Sequence, residues 1–450
     1  MNKIISKFLL LAFSAALLGA CKPSLEIPKA DKGSMDPSRF VALGNSITSG
    51  YADGALYYSG QQNSFVNLMA GQFRLVGGGD FKQPLVDASS IGVGATGNAP
   101  FKLGYSTDCM GVTSLAPVPV STNGDMSIFS NSVAASGPFN NMGVPGAKVI
   151  TALFSGYGDP ALGIGNYNPF FYRMASNPVT SSMLSDALKI NPTFFSLFLG
   201  NNDVLAYAMA GAASDFITPS AGPSGIGFDA SYNSIVNSLT ANGAKGVVGN
   251  IPDVVSLPYF TTIPYNGLAL DSSKASLMNL IYNARGIYFQ KGNNAFLIQD
   301  PSAQYGIRQI HSDEYILLDV PLDSVKCHGM GSYAQGIPSK YVLTTSEVAT
   351  IESAISAFNS TIRSVAQSKG LAFADVNAFM KAAQKGIVYN GVTLSTSFVT
   401  GGAFSLDGIH LNPIGQALLA NEFIKAINAT YNSTIPQVDA TKYRGVIFPN

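Results

Sequence analysis

Short apolar runs, each closed by a glycine or a polar residue, constrain this chain more than any other feature. Thr193-Phe-Phe-Ser-Leu-Phe-Leu199 follows Pro192, is almost wholly apolar and stops at Gly200. A strand wetted on one face alternates apolar and polar residues. One that does not alternate is buried on both faces, the pattern of a parallel sheet covered by helices. Arg39-Phe-Val-Ala-Leu-Gly44, Lys245-Gly-Val-Val-Gly-Asn250 and Leu371-Ala-Phe-Ala-Asp375-Val376 read the same way. Between these runs the apolar spacing turns helical. Asn63 to Val76 is apolar at 65, 66, 68, 69, 73 and 75. Asp229 to Asn242 lines up Tyr232, Ile235, Val236 and Leu239 ahead of the stop signal Gly243. Thr344-x-x-Glu347 is a capping box for a helix that Gly370 closes. Asn412 and Pro413 stand as N-cap and N1 of a last helix, Ile414 to Ile427. Strand–helix–strand repetition of this kind predicts an α/β fold with a central parallel sheet.

Two stretches break the pattern. Residues 77–137 are rich in Gly, Ser, Thr, Asn and Pro and show no period. Residues 253–343 contain a predicted helix (Ser272 to Gln290) and a short strand (Tyr315 to Pro321) among irregular segments. Structureless loops of that length do not belong inside a compact domain, so both read as insertions on a domain spanning 38–435. Residues 436–450 form a C-terminal tail read as a packing strand or a partly ordered end. Only 12% of residues are charged and the net charge is zero, so the basic stripe of a nucleic-acid binder is missing. The 46% hydrophobic content excludes a disordered chain.

The N-terminus reads as targeting rather than fold. Lys3 and Lys7 precede an apolar run, Phe8 to Leu18, too short to span a bilayer and suited to a signal h-region. It ends in Leu18-Gly19-Ala20-Cys21, which resembles a bacterial lipobox. The resemblance implies that residues 1–20 are removed, that Cys21 is lipidated, and that 21–37 tether the domain. The protein is then expected in the cell envelope, lipid-anchored at the outer membrane or cell surface, with no other membrane attachment. Only Cys109 and Cys327 are left. In an oxidising compartment they form a disulfide or stay as two buried thiols, and sequence does not supply the distance.

No metal-ligand spacing, phosphate loop or Gly-x-Ser-x-Gly elbow is present. What stands out is a set of polar residues placed just after predicted strands, on the edge where open parallel sheets bind ligands. Gly44-Asn45-Ser46 follows the first strand. Asn141-Met-Gly143-Val-Pro-Gly146 leads into a predicted helix, Ala147 to Phe154. Gly200-Asn201-Asn202-Asp203 follows the most apolar strand, and Asp203 reads as the cap of a helix over Val204 to Ala210. Asp407-Gly-Ile-His410 precedes the last helix. A carboxylate three residues before a His can fold back on the imidazole and fix its tautomer, and a serine hydroxyl needs such a base to act as a nucleophile. His311 and His328 read as surface residues of the second insertion, and Asn250-Ile-Pro-Asp253 as a wall beside the site.

In this order the four blocks resemble the SGNH (GDSL-type) hydrolase family, over 39–76, 139–252 and 346–430. The resemblance implies a three-layer α/β/α sandwich and a serine ester hydrolase. Ser46, His410 and Asp407 would be its catalytic residues, and Ser46, Gly143 and Asn202 its oxyanion hole. No metal or organic cofactor is implied. The expected substrate is a small-molecule, glycan or lipid ester. The same site could instead pass the acyl group to a carbohydrate acceptor, or the scaffold could serve as a non-catalytic surface binder. Asn45 departs from the family's usual Asp before the nucleophile, outside the four functional positions.

Overall fold

The computed structural model describes residues 29–449. The signal segment and Cys21 lie outside the described residues, as does the start of the tether. Where the tether is described it lies against the end of the last helix: Ser34 N donates to Tyr431 O, Thr434 N donates to Asp31 O, and Met35 is buried.

Five strands form one sheet: β1 (Phe40–Gly44), β2 (Asn141–Gly143), β3 (Phe194–Phe198), β4 (Lys245–Gly249) and β5 (Ala372–Ala374), in the order β5-β4-β3-β1-β2. All neighbouring strands are parallel, with Leu43 opposite Leu197 and Gly44 opposite both Phe198 and Gly143. Every residue of β1 and β3 is buried, as their unbroken apolar runs require.

Six helices matter for the site. These are α1 (Ser46–Ser49), α2 (Phe65–Arg74), α3 (Asn202–Met209), α4 (Phe228–Thr240), α5 (Thr345–Lys369) and α6 (Pro413–Tyr431). α2 and α6 pack together, while α5 packs on α3 and α4; α5 and α6 both contact the sheet, giving the α/β/α layers. The Thr344–Glu347 capping box is formed, and Gly370 closes α5 in a left-handed conformation. α6 starts where Asn412 Oδ1 accepts from Gly415 N and runs to Tyr431, one turn past its predicted end.

Several sequence expectations need correction. No helix forms over 147–154. Val149, Ile150 and Thr151 are β-branched and lose side-chain freedom in a helix. Their neighbourhood also satisfies the backbone otherwise: Thr151 Oγ1 accepts from Lys148 N and Asp203 Oδ2 accepts from Val149 N. The helix predicted to Gln290 stops at Tyr282, followed by a 3₁₀ turn that Gly286 ends. The strand predicted over Tyr315 to Pro321 is only Tyr315–Ile316, paired with Val342–Leu343.

The first insertion holds a regular hairpin, Phe101–Thr107 against Thr113–Pro119, that no period announced, because most of its residues face solvent on both sides. Its tip is joined to the second insertion by a Cys109–Cys327 disulfide with Cα atoms 6.3 Å apart, beside a Lys326–Asp108 ion pair of 3.1 Å. In the tail, Asn421 of α6 clamps Val438 through both its backbone groups. Among the described residues no helix is long and apolar enough to cross a membrane.

Candidate active site

The carboxyl ends of β1, β2 and β3 lie side by side, so the turns that follow them converge. After β1 the chain passes through Asn45 into α1. Asn45 Oδ1 accepts from Ile47 N at 3.1 Å and caps the helix. An amide oxygen does this as well as a carboxylate, so the departure at Asn45 keeps the local geometry. Ser46 is the first residue of α1. Gln416 of α6 accepts from Phe65 N and donates to Ile47 O, tying α6 and α2 to the turn that carries Ser46.

The loop before α6 closes on itself, with Ser405 N donating to His410 O and Gly408 N to Ser405 O. It delivers His410 to Ser46: Nε2 is 2.8 Å from Ser46 Oγ, and Nδ1 is 2.8 Å from Asp407 Oδ2. Asp407 is nearly buried. Burial pushes its carboxyl up, but the His410 charge and hydrogen bonds from His410 and Ile409 outweigh that and hold it well below the usual range. Charged, it can only accept, so Nδ1 carries the proton toward Asp407. Nε2 is then left to accept from the Ser46 hydroxyl.

Asp407 takes two further donors that the sequence reading missed. Gly54 N donates to Oδ2 at 2.9 Å and Ser405 Oγ to Oδ1 at 3.0 Å. Gly54 belongs to an Asp53–Gly54 turn in which both residues have positive φ, the hairpin turn for which Asp-Gly is a known signal. Asp53 Oδ1 also accepts from Leu406 N, and Asp53 N donates to Ser405 Oγ. Tyr51 completes the support. Its ring lies 4.8 Å from the His410 ring, and its hydroxyl donates to Gly54 O at 2.6 Å.

Both insertions rest on this loop. Phe101 N donates to Asp53 O, Asn98 Nδ2 to Gly54 O, and Tyr259 N to Gly408 O. The disulfide therefore links two arms, one bonded at its base to the Asp53–Gly54 turn and the other to Gly408, next to Asp407. His311 and His328 lie in the second insertion away from Ser46, with His311 near Glu314 and His328 ending the helix Leu322–Cys327. Asn250 binds Asp375 and Asn377, tying β4 to the segment after β5.

Of the three proposed oxyanion donors, the structure separates Gly143 from the other two. The Gly143 N–H is buried and already donates to Asn141 Oδ1 at 2.9 Å. A Cβ at Gly143 would collide with Ser49 N and the Thr48 carbonyl, so this glycine is there to let α1 pack on β2. With its N–H already engaged by Asn141, Gly143 offers no free donor in this structure. Three residues on, Val144-Pro145-Gly146-Ala147 forms a turn in which Ala147 N donates to Val144 O and Gly146 has φ +81°. Pro then Gly at the centre is the type II signature, which could have drawn attention to it. The exposed Gly146 N–H has no partner among the described residues, and neither does the Ser46 N–H. Asn202, the first residue of α3, donates one amide hydrogen to Ala147 O at 3.0 Å, which orients the carboxamide and leaves its second hydrogen available.

Asp203 is not the cap of α3. It lies inside the first turn, fully buried, and accepts from Val149 N. Burial pushes its carboxyl up to about 7. Among the described residues no cluster of His, Cys, Asp and Glu could hold a metal ion.

No family model matches this chain, and no curated protein matches it. Among solved structures, the chain is similar to a candidate GDSL-like lipase from Parabacteroides merdae at 11% identity, with 88% of this chain and 99% of that one covered and a TM-score of 0.33. A lipase/acylhydrolase from Enterococcus faecalis matches at 12% identity, with coverage of 89% and 98% and a TM-score of 0.31. LAE5, an alpha/beta hydrolase enzyme from the metagenome of Lake Arreo, Spain, matches at 12% identity, with coverage of 88% and 97% and a TM-score of 0.33. Likeness at these scores carries no weight for function.

Proposed function

We propose that the protein is a serine hydrolase of carboxylic esters, similar to the SGNH (GDSL-type) hydrolases. The observation that carries this reading is the unbroken relay from Ser46 Oγ through His410 to Asp407, with 2.8 Å at each step. In the reaction, Ser46 Oγ attacks the ester carbonyl as its proton passes to His410 Nε2. Asp407 accepts from Nδ1 throughout and stabilises the imidazolium. The carbonyl oxygen gains the negative charge, and the N–H groups of Ser46 and Gly146 with the Asn202 amide are the donors available to it. Collapse of this intermediate expels the alcohol, which takes the proton from Nε2. Water then attacks the acyl-serine, passing its proton to His410, and the carboxylic acid leaves as Ser46 recovers its hydrogen. Only the neutral imidazole is a base, so a protonated His410 cannot take the Ser46 proton.

With the lipobox-like Leu18-Gly19-Ala20-Cys21, the same reading makes this an envelope enzyme anchored through lipidated Cys21. Its substrates would be glycan, lipid or small acyl esters met outside the cytoplasm. A fluorophosphonate probe tests the chemistry. It should label the wild type and not Ser46→Ala; equal labelling of both, or of neither, overturns the reading.

A further inference from the structure

A cavity of ≈ 440 Å³ opens beside Asp53, and neither Ser46 nor His410 lines it. Parts of the chain far apart in sequence build its walls, among them the Asp53–Ser59 stretch, the segment around Ser90 and Ile91, the base of the exposed hairpin at Phe101 and Lys102, the start of α6, and the C-terminal segment through Arg444 and Ile447. Its volume falls within the range of small-molecule sites, about 300–1,000 Å³.

The charges in this cavity do not balance. Lys102 and Arg444 both line it. Among the described residues neither makes an ion pair or a side-chain hydrogen bond, and Arg444 is close enough only to favour the charged form of Asp53. The one carboxylate in the lining, Asp53, is already engaged on both oxygens, by Leu406 N at 2.9 Å and the Tyr57 hydroxyl at 2.7 Å. Most of the remaining wall is apolar or aromatic. Two cations against one occupied carboxylate leave room for a single negative charge. The apolar wall gives the body of a ligand a surface to bury, and it offers few donors to a sugar or a phosphate.

We propose that this cavity is a second binding site, for a monocarboxylate with an apolar body. Arg444 and Lys102 take the carboxylate, and Phe101 and Ile447 cover the body. The acids that an ester hydrolase releases belong to this chemical class, but the inference does not rest on turnover. The site also borders the triad's support. Asp53 lines the cavity, holds Leu406 next to Asp407, and donates from its backbone to the Ser405 hydroxyl that binds Asp407.

Titration calorimetry on the full chain, with octanoate as the probe, tests this directly. Octanoate should bind with one-to-one stoichiometry, and both octanol (body without charge) and acetate (charge without body) at least tenfold more weakly. Arg444→Gln and Lys102→Gln should each weaken octanoate by tenfold or more, with the melting temperature unchanged. Ser46→Ala should bind it as the wild type does. No binding, equal binding of octanol, or a loss below tenfold in both folded cavity variants overturns the proposal. Because Ser46→Ala has no nucleophile, failure of this site and failure of the hydrolase reading give separate results.

Discussion

Asp407 and Asp203 each stand beside a residue with a proposed part in the reaction, Asp407 three positions before His410 and Asp203 directly after Asn202. Asp203 is fully buried and Asp407 nearly so, and burial raises both. Asp407 receives five hydrogen bonds, from Gly54 N, Ser405 Oγ, Ile409 N, His410 N and His410 Nδ1. Asp203 receives one, from Val149 N, and its other oxygen is buried without a partner. Thr218 lies near enough to favour the charged form, yet its hydroxyl closes no hydrogen bond either. So the His410 charge and these donors hold Asp407 below the usual carboxylate range, while burial pushes Asp203 up to about 7. The difference teaches that a neighbouring charge and donors, not depth, set the charge state of such a carboxylate. Around Asp407 the acceptors are filled, which gives His410 a fixed partner. On the proposed oxyanion side the N–H groups of Ser46 and Gly146 have no partner among the described residues.

Four variants break or sharpen that contrast. The largest effect is expected from Asp407→Asn. Its amide nitrogen cannot accept from Gly54 or His410, so the imidazole loses its enforced tautomer and kcat on a chromogenic ester should drop about 10⁴-fold. A drop under tenfold would mean that the saturated side is not needed. Next comes Asn202→Ala, which removes one oxyanion donor. We expect kcat to fall about 10²–10³-fold with KM little changed.

Asp203→Asn should spare turnover within about tenfold and change the pH dependence of stability instead. A carboxyl with a raised folded pKa binds more protons folded than unfolded. The wild type should therefore lose stability as pH rises from about 4 to about 7, by on the order of 1–4 kcal/mol, and level off above that. Denaturant midpoints across this range should be flatter for the variant; parallel curves would show that Asp203 stays charged. Asp407 has the opposite sign, its contribution being present above about pH 4 and lost in acid. The smallest effect is expected from Tyr51→Phe. It removes the hydroxyl bond to Gly54 O and should cost about 0.5–1.5 kcal/mol of stability with kcat within tenfold.

The saturated side was the less legible of the two in the sequence. Asp407 and His410 are three residues apart, so their pairing could be read locally. Gly54 and Ser405 are more than 350 positions apart, and only the fold makes both of them partners of Asp407. Asp53–Gly54 did carry a turn signal, but nothing in the sequence says what a turn's free N–H will meet. Gly143 was hard to read for a related reason. Glycine near a site has two uses, close packing and a free N–H, and only the neighbours Asn141 and Ser49 tell which one applies.

By itself the sequence determined the parallel sheet and its helical layers, because strands buried on both faces and amphipathic helices are written in the spacing of apolar residues. It also put Ser46, Asn202 and the Asp407–His410 pair just beyond predicted strands or ahead of the last helix. Only the tertiary structure decided that Ser46 meets His410, that Cys109 meets Cys327, and that the free loop N–H belongs to Gly146. Periodicity is a property of neighbours along the chain, whereas a hydrogen bond or a disulfide across hundreds of residues depends on where packing brings the chain back.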